Sequence, residues 1–186
     1  MKRVYYIILA ILILTFIGCG YYSLAGSIPP HIRSIAIPLV NNQTAEFGIA
    51  EGITDNIIEV FNEENILRIV DERNADSILR GTIISLDDAP YTFSSEEAVS
   101  EYRINITMDI IWYDVANNVE LLNKRYSGWG AYGLTGDINT DGIDNDGDGK
   151  IDENDDDEFG EPRAFATKIA IKKISEDVVN NILTAW

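Results

Sequence analysis

The chain of 186 residues carries one cysteine, one histidine and only 14 Lys+Arg against 31 Asp+Glu, and each shortage closes off a class of function. One Cys excludes an internal disulfide framework and a Cys-based zinc site. One histidine, His31, argues against His-centred catalysis and His-ligated transition metals, and beside Pro30 it reads as a surface residue. With a formal net charge of −17 the surface repels a polyanion, so no nucleic acid is expected as a partner. There is no nucleophile elbow, no phosphate-binding glycine loop and no triad. Paired carboxylates are abundant but crowd into one acidic stretch, where burial cannot tune one against another. The expected protein is therefore not an enzyme. Its length suits one globular domain.

What is present begins with an export signal over residues 1–18. Lys2 and Arg3 precede an apolar run from Tyr5 to Ile17 of about a dozen residues, short for a membrane span and typical of a signal peptide. It ends in Phe16-Ile17-Gly18-Cys19, which resembles a bacterial lipobox with Phe where Leu is usual. Cys19 is then the lipid-attachment residue and the first residue of the mature chain, held on the membrane by acyl chains of the palmitate type at about 0.8 kcal/mol per buried CH₂. Gly20 replaces the Asp of an inner-membrane retention signal, which favours the outer membrane, on its periplasmic or barrel-lumen side. Residues 19–33 read as a lipidated tether, and residues 34–186 as the folded domain.

Hydrophobic periodicity predicts an α+β two-layer sandwich in the order β-α-β-β-β-β-α, with two helices on one face of a mostly antiparallel sheet of four to five strands. Ile35, Ile37 and Leu39 alternate as a first strand, and a polar turn follows over 41–44. Ala50, Ile53, Ile57 and Phe61 form the stripe of a helix over 46–62. Strands follow at 67–70 and 78–86. The strongest strand signal spans 99–113, where Tyr102, Ile104, Ile106, Met108 and Ile110 take one parity and Arg103, Asn105, Thr107 and Asp109 the other. A turn at Asn117-Asn118 leads to a partner strand at 121–129. Phe165, Ile169, Ile174, Val178 and Ile182 mark a last helix from about Pro162 to Trp186.

Acidity is concentrated between Asp137 and Glu161, where twelve Asp/Glu and one Lys give a net of −11. Within this insert (137–158), Asp144, Asp146, Asp148 and Asp152 occupy positions 1, 3, 5 and 9 of a calcium loop, with Gly149 at the turn, Lys150 offering its carbonyl and Asp155 at position 12. Asp137, Asn139 and Asp141 repeat the start of that pattern. Alternating hard oxygen ligands suit calcium better than magnesium. The segment is similar to the Asp-rich repeats of thrombospondin type 3 and dockerin modules, with Asp155 in place of the usual Glu. A solvated acidic loop is the alternative.

Cys19-Gly20-Tyr21-Tyr22-Ser23-Leu24, Ile35-Ala36-Ile37-Pro38-Leu39, Asn42-Gln43-Thr44, Ile53-Thr54-Asp55, Ala75-Asp76-Ser77-Ile78-Leu79-Arg80-Gly81-Thr82-Ile83 and Tyr102-Arg103-Ile104, in that order, resemble the lipopolysaccharide-assembly lipoprotein family, LptE. The resemblance covers the mature chain except the acidic insert. It implies two helices over a four-stranded sheet, and a non-enzymatic lipoprotein that plugs the outer-membrane β-barrel LptD, assists its assembly and helps deliver lipopolysaccharide to the cell surface. For that lipid, Arg80, Arg103, Lys124 and Arg125 are the candidate contacts, because strand pairing brings them near one another. Lys168, Lys172 and Lys173 read as a solvated helix face. Tyr102, Trp112, Tyr113, Tyr126, Trp129 and Tyr132 form an aromatic hairpin that can line a barrel wall or an acyl chain, with half of them core by parity. The competing reading is a lipid-anchored, calcium-binding scaffold or adhesion module that the sandwich merely displays.

Overall fold

A computed structural model describes residues 28–95, 98–133, 149–150 and 161–184. The elements run β1 (Ser34–Ala36), β2 (Asn41–Asn42), α1 (Ile49–Glu64), β3 (Arg68–Ile69), a 3-10 turn (Glu72–Asn74), β4 (Ser77–Phe93), β5 (Val99–Asp114), β6 (Val119–Gly133) and α2 (Pro162–Thr184). The sheet order is β3-β1-β4-β5-β6, with β2 also on β4. The long strands β4, β5 and β6 pair antiparallel, while β1 runs parallel to β3 and β4. The expected α+β sandwich is present, with six strands among the described residues.

Strict alternation on β5 builds the core. Ile104, Ile106, Met108, Ile110 and Trp112 are each fully buried and join one cluster with Ile53, Ile57 and Phe61 of α1 and Ile174, Val178 and Ile182 of α2. Each such side chain contributes about 1.5–3 kcal/mol on burial. Both helices therefore cover the same face. The edge strand β6 receives α2 at unusually close range: a Cβ at Gly128 would lie 2.3 Å from the Ala170 carbonyl oxygen, and one at Gly130 2.1 Å from that of Ala166. Glycine on the strand and alanine on the helix are what allow the two backbones to meet.

Several boundaries differ from those predicted: β1 stops at Ala36, short of the expected Leu39, which is exposed, and β6 runs past 121–129 at both ends, to Val119 and Gly133. The first helix starts at Ile49 because Gly48 is left-handed (φ 77) and the preceding loop folds on itself, with the Thr44 N–H donating to Asn42 Oδ1 at 2.8 Å and Asn42 Nδ2 to the Glu46 carbonyl at 2.8 Å. The polar turn at 41–44 contains β2, whose ladder on β4 needs no apolar side chain. Strand β4 extends seven residues past Leu86, through Asp87-Asp88-Ala89-Pro90. Backbone pairing to β5 rather than burial holds that stretch, and Pro90 is tolerated because β1 and β2 reach no further than Ile83 on the other edge of β4. Packing also begins inside the segment read as tether, since Ile32 is 4% exposed and Ile28 packs on the core.

Candidate lipid-contact face and tether root

Residues opposite one another in a sheet share a face, so register decides where the four candidate cations point. Arg80 pairs with Ile111, Arg103 with Ala131 and Arg125 with Asp109, all on the parity left open by the helices. Lys124 pairs with Ile110 on the core parity and donates to Asn181 of α2 at 2.9 Å, above the Tyr126 ring. The open face thus carries three of the four. Arg125 is held by Asp109 through two bonds of 2.7 and 2.8 Å, which lower the Asp109 pKa from its ordinary value. Arg80 pairs with Glu72 at 3.3 Å. Arg103 sits six residues from Asp109 along β5, roughly 20 Å away, so it does not share a site with Arg125.

Arg103 has a different environment. Its guanidinium lies 4.4 Å from the Trp129 ring centroid and 5.6 Å from that of Tyr91. Those two rings are themselves 5.9 Å apart. Lys173 of α2 reaches the same indole at 4.7 Å. Two cations thus flank one aromatic ring, and neither ion-pairs with a carboxylate among the described residues. Cation–π contact holds a guanidinium in place without neutralising it, so among the described residues this cluster sets two positive charges beside aromatic rings, a combination suited to an anionic amphiphile. Tyr91 reaches it from the strand beside β5, two residues past Ala89, which pairs with Arg103, so alternation puts it on the same face. Near the other end of the open face, Ile78, Arg80, Ile111, Tyr113 and Glu120 line a cavity of about 350 Å³.

Of the aromatic hairpin, Trp112 and Tyr126 are buried and Tyr102, Tyr113, Trp129 and Tyr132 half-buried. Burial, with Asp177 nearby, pushes the Tyr126 phenol up to about 12. Tyr132 stacks on Tyr102 at 5.8 Å and donates to Asp88; burial and that carboxylate raise its pKa to about 12.

Sequence reasoning missed two centres. Arg163, in the first turn of α2, binds both carboxylate oxygens of Glu46 at 3.0 and 3.1 Å and Asp88 at 3.0 Å. These bonds raise the arginine pKa and lower that of Glu46, and they tie α2 to the loop before α1 and to β4. His31 is exposed, as read, yet its Nε2 lies 2.7 Å from Asp114, a carboxylate only 2% exposed. Burial works to raise the Asp114 pKa, but the side chain and N–H of Asn117 together with His31 outweigh it, and the net shift is downward. The tether root is thereby fixed to the β5–β6 turn. Neither partner was visible in local sequence, since they lie 83 and 117 residues away.

Cys19 and the ligand side chains Asp137, Asn139, Asp141, Asp144, Asp146, Asp148, Asp152 and Asp155 lie outside the described residues. Of the proposed loop, Gly149 has φ 94, the left-handed backbone that a turn glycine supplies. Among the described residues no group of three His/Cys/Asp/Glu can hold a metal ion, and no helix is long and apolar enough to cross a membrane.

The fold is shared with protein XCC0632 of Xanthomonas campestris (8% identity, 85% of this chain and 90% of that one, TM-score 0.53) and with protein CT253 of Chlamydia trachomatis (10% identity, 82% and 98%, TM-score 0.51). The rare lipoprotein B of Shewanella oneidensis matches at 14% identity over 82% of this chain and 92% of that one, with a TM-score of 0.43. No curated protein matches the chain in sequence. The family model for lipopolysaccharide assembly, LptE, matches residues 32–186, the whole folded domain with the insert included, and the chain belongs to that family.

Proposed function

We propose that this protein is an outer-membrane lipoprotein, anchored through acylated Cys19, that plugs the LptD β-barrel, assists its assembly and helps pass lipopolysaccharide to the cell surface without catalysing a reaction. The family match over the entire folded domain carries this reading. The open sheet face supports it, with Arg103 and Lys173 flanking Trp129 as charge-retaining contacts for an anionic lipid. Arg80, Arg125 and Lys124 are weaker candidates, since each already has a protein partner.

Affinity purification of the tagged full-length protein from detergent-solubilised envelopes should bring down a large β-barrel in a one-to-one complex, and depletion should lower the amount of folded barrel. Recovery as a free monomer with unchanged barrel levels would leave the lipid-anchored calcium scaffold as the better reading. The insert is proposed to hold calcium through its alternating Asp residues. Its test is calorimetry of calcium binding to the wild type and to Asp146→Ala/Asp148→Ala. Heat absent from the double variant supports the loop, and no heat in the wild type leaves a solvated acidic tract.

A further inference from the structure

The loop between β2 and α1 carries the most exposed large apolar side chain among the described residues, Phe47, at 99%. It is presented by a loop with little freedom of its own. Asn42 Oδ1 accepts from both the N–H and the hydroxyl of Thr44 at 2.8 Å, the Gln43 N–H donates to the Ile83 carbonyl at 3.1 Å, and Arg163 grips the Glu46 carboxylate. Gly48 then turns the chain into α1 through its left-handed conformation. Phe47, Leu39, Val40, Ala45 and Ala50 give an apolar lining to an open concavity of about 610 Å³, and Leu39 is exposed as well. An aromatic side chain that buries almost none of its surface in its own fold, on a loop that loses little freedom on binding, is arranged as an anchor for a partner.

Charge decides what that partner is. Glu51 lines the same concavity, and Asp55, Glu59 and Glu63 follow it at four-residue intervals along the exposed side of α1, about 18 Å from first to last. With Glu64 the 16-residue helix carries five acids and no base, whereas the 23-residue α2 carries Arg163, Lys168, Lys172 and Lys173 against Glu176 and Asp177. None of the five acids has a hydrogen-bond or ion-pair partner among the described residues. Like charges four residues apart work against a helix, and Glu63 and Glu64 meet the negative end of its dipole, so the fold itself gains nothing from the stripe. The same charges repel the phosphates of a bilayer or of any anionic lipid. What fits is a protein segment that offers a bulky apolar side chain to the concavity and lysine or arginine side chains to the acids.

We propose that the Phe47 concavity, with the acidic side of α1 beside it, docks a basic segment of the β-barrel that bears an apolar anchor residue. The proposal rests on the barrel-plug reading. It puts a barrel contact on the helix layer and leaves the opposite side of the sheet, with Arg103 and Trp129, to the lipid.

The test is quantitative affinity purification of the tagged full-length protein from detergent-solubilised envelopes, with the barrel measured by immunoblot. Phe47→Ser and the triple variant Glu51→Gln/Asp55→Asn/Glu59→Gln should each recover severalfold less barrel than the wild type. Both should keep the wild-type melting temperature, because these side chains hold nothing within the fold, and Phe47→Leu should restore most of the recovery. Raising the salt concentration should lower recovery by the wild type and leave that of the triple variant unchanged. Barrel recovered equally by the wild type and both variants would overturn the docking face while leaving the barrel reading in place. A wild type that brings down no barrel would remove that reading and this proposal with it. A wild-type dimer in size-exclusion chromatography that Phe47→Ser makes monomeric would assign the face to a second copy of the chain and overturn the proposal as well.

Discussion

The two faces of β5 are made by one continuous strand and have opposite characters. On the helix side Ile104, Ile106, Met108, Ile110 and Trp112 are sealed; on the open side Arg103, Asn105, Thr107 and Asp109 remain partly accessible. The first face holds the fold by burial, which is insensitive to the identity of any ligand. The second keeps charge and aromatic rings available, and its groups hold one another by pairwise contacts of modest strength. Stability and lipid contact should thus be separable by substitutions one residue apart on the same strand.

The sharpest break comes on the sealed side. Ile106→Ala should lower stability by about 2–5 kcal/mol, read by urea denaturation, and a loss of less than about 1 kcal/mol would mean the face is not packed as described. Gly130→Ala tests the close approach of α2. Its new Cβ meets the Ala166 carbonyl oxygen, and a cost of about 1–3 kcal/mol is expected from overpacking.

The tether root should show an intermediate effect with a pH signature. The native pKa of Asp114 is depressed below 3.8, so its contribution is complete above the unfolded value and is lost as pH falls through the native one. Asp114→Asn should cost about 1–3 kcal/mol at neutral pH. The gap in melting temperature between wild type and variant should narrow as the solution is acidified below about pH 4. A gap that stays constant there would show that the Asp114 charge contributes nothing.

On the open face the expected stability changes are smallest. Arg103→Ala and Trp129→Ala should each shift unfolding by no more than about 0.5–1 kcal/mol, yet both should weaken binding of purified lipopolysaccharide in a direct titration, whereas Arg80→Ala should leave it nearly unchanged. Equal losses from all three would dissolve the distinction between Arg103 on the Trp129 ring and Arg80 paired with Glu72.

Legibility followed the range of the interaction concerned. The β5 parity, the helix stripes and the turn at Asn117-Asn118 lie within a few residues of chain and could be read directly. The far half of β4 could not, because Asp87, Asp88 and Pro90 are poor strand formers that a long partner strand carries along. Nor could the site be divided correctly. Lys124 and Arg125 are neighbours in sequence and both cationic, yet a period of two sends them to opposite faces, and Lys173, read as ordinary helix surface, stands over Trp129.

Composition and periodicity were enough to settle the class of the domain and the buried side of β5, since those depend on local pattern, whereas at β1 the expected inward Leu39 is exposed and Ala36 is buried. Which charges pair was settled by folding alone. His31 meets Asp114 across 83 residues and Arg163 meets Glu46 across 117. Such partners are chosen by strand register and helix placement, and only the assembled core holds those at fixed positions.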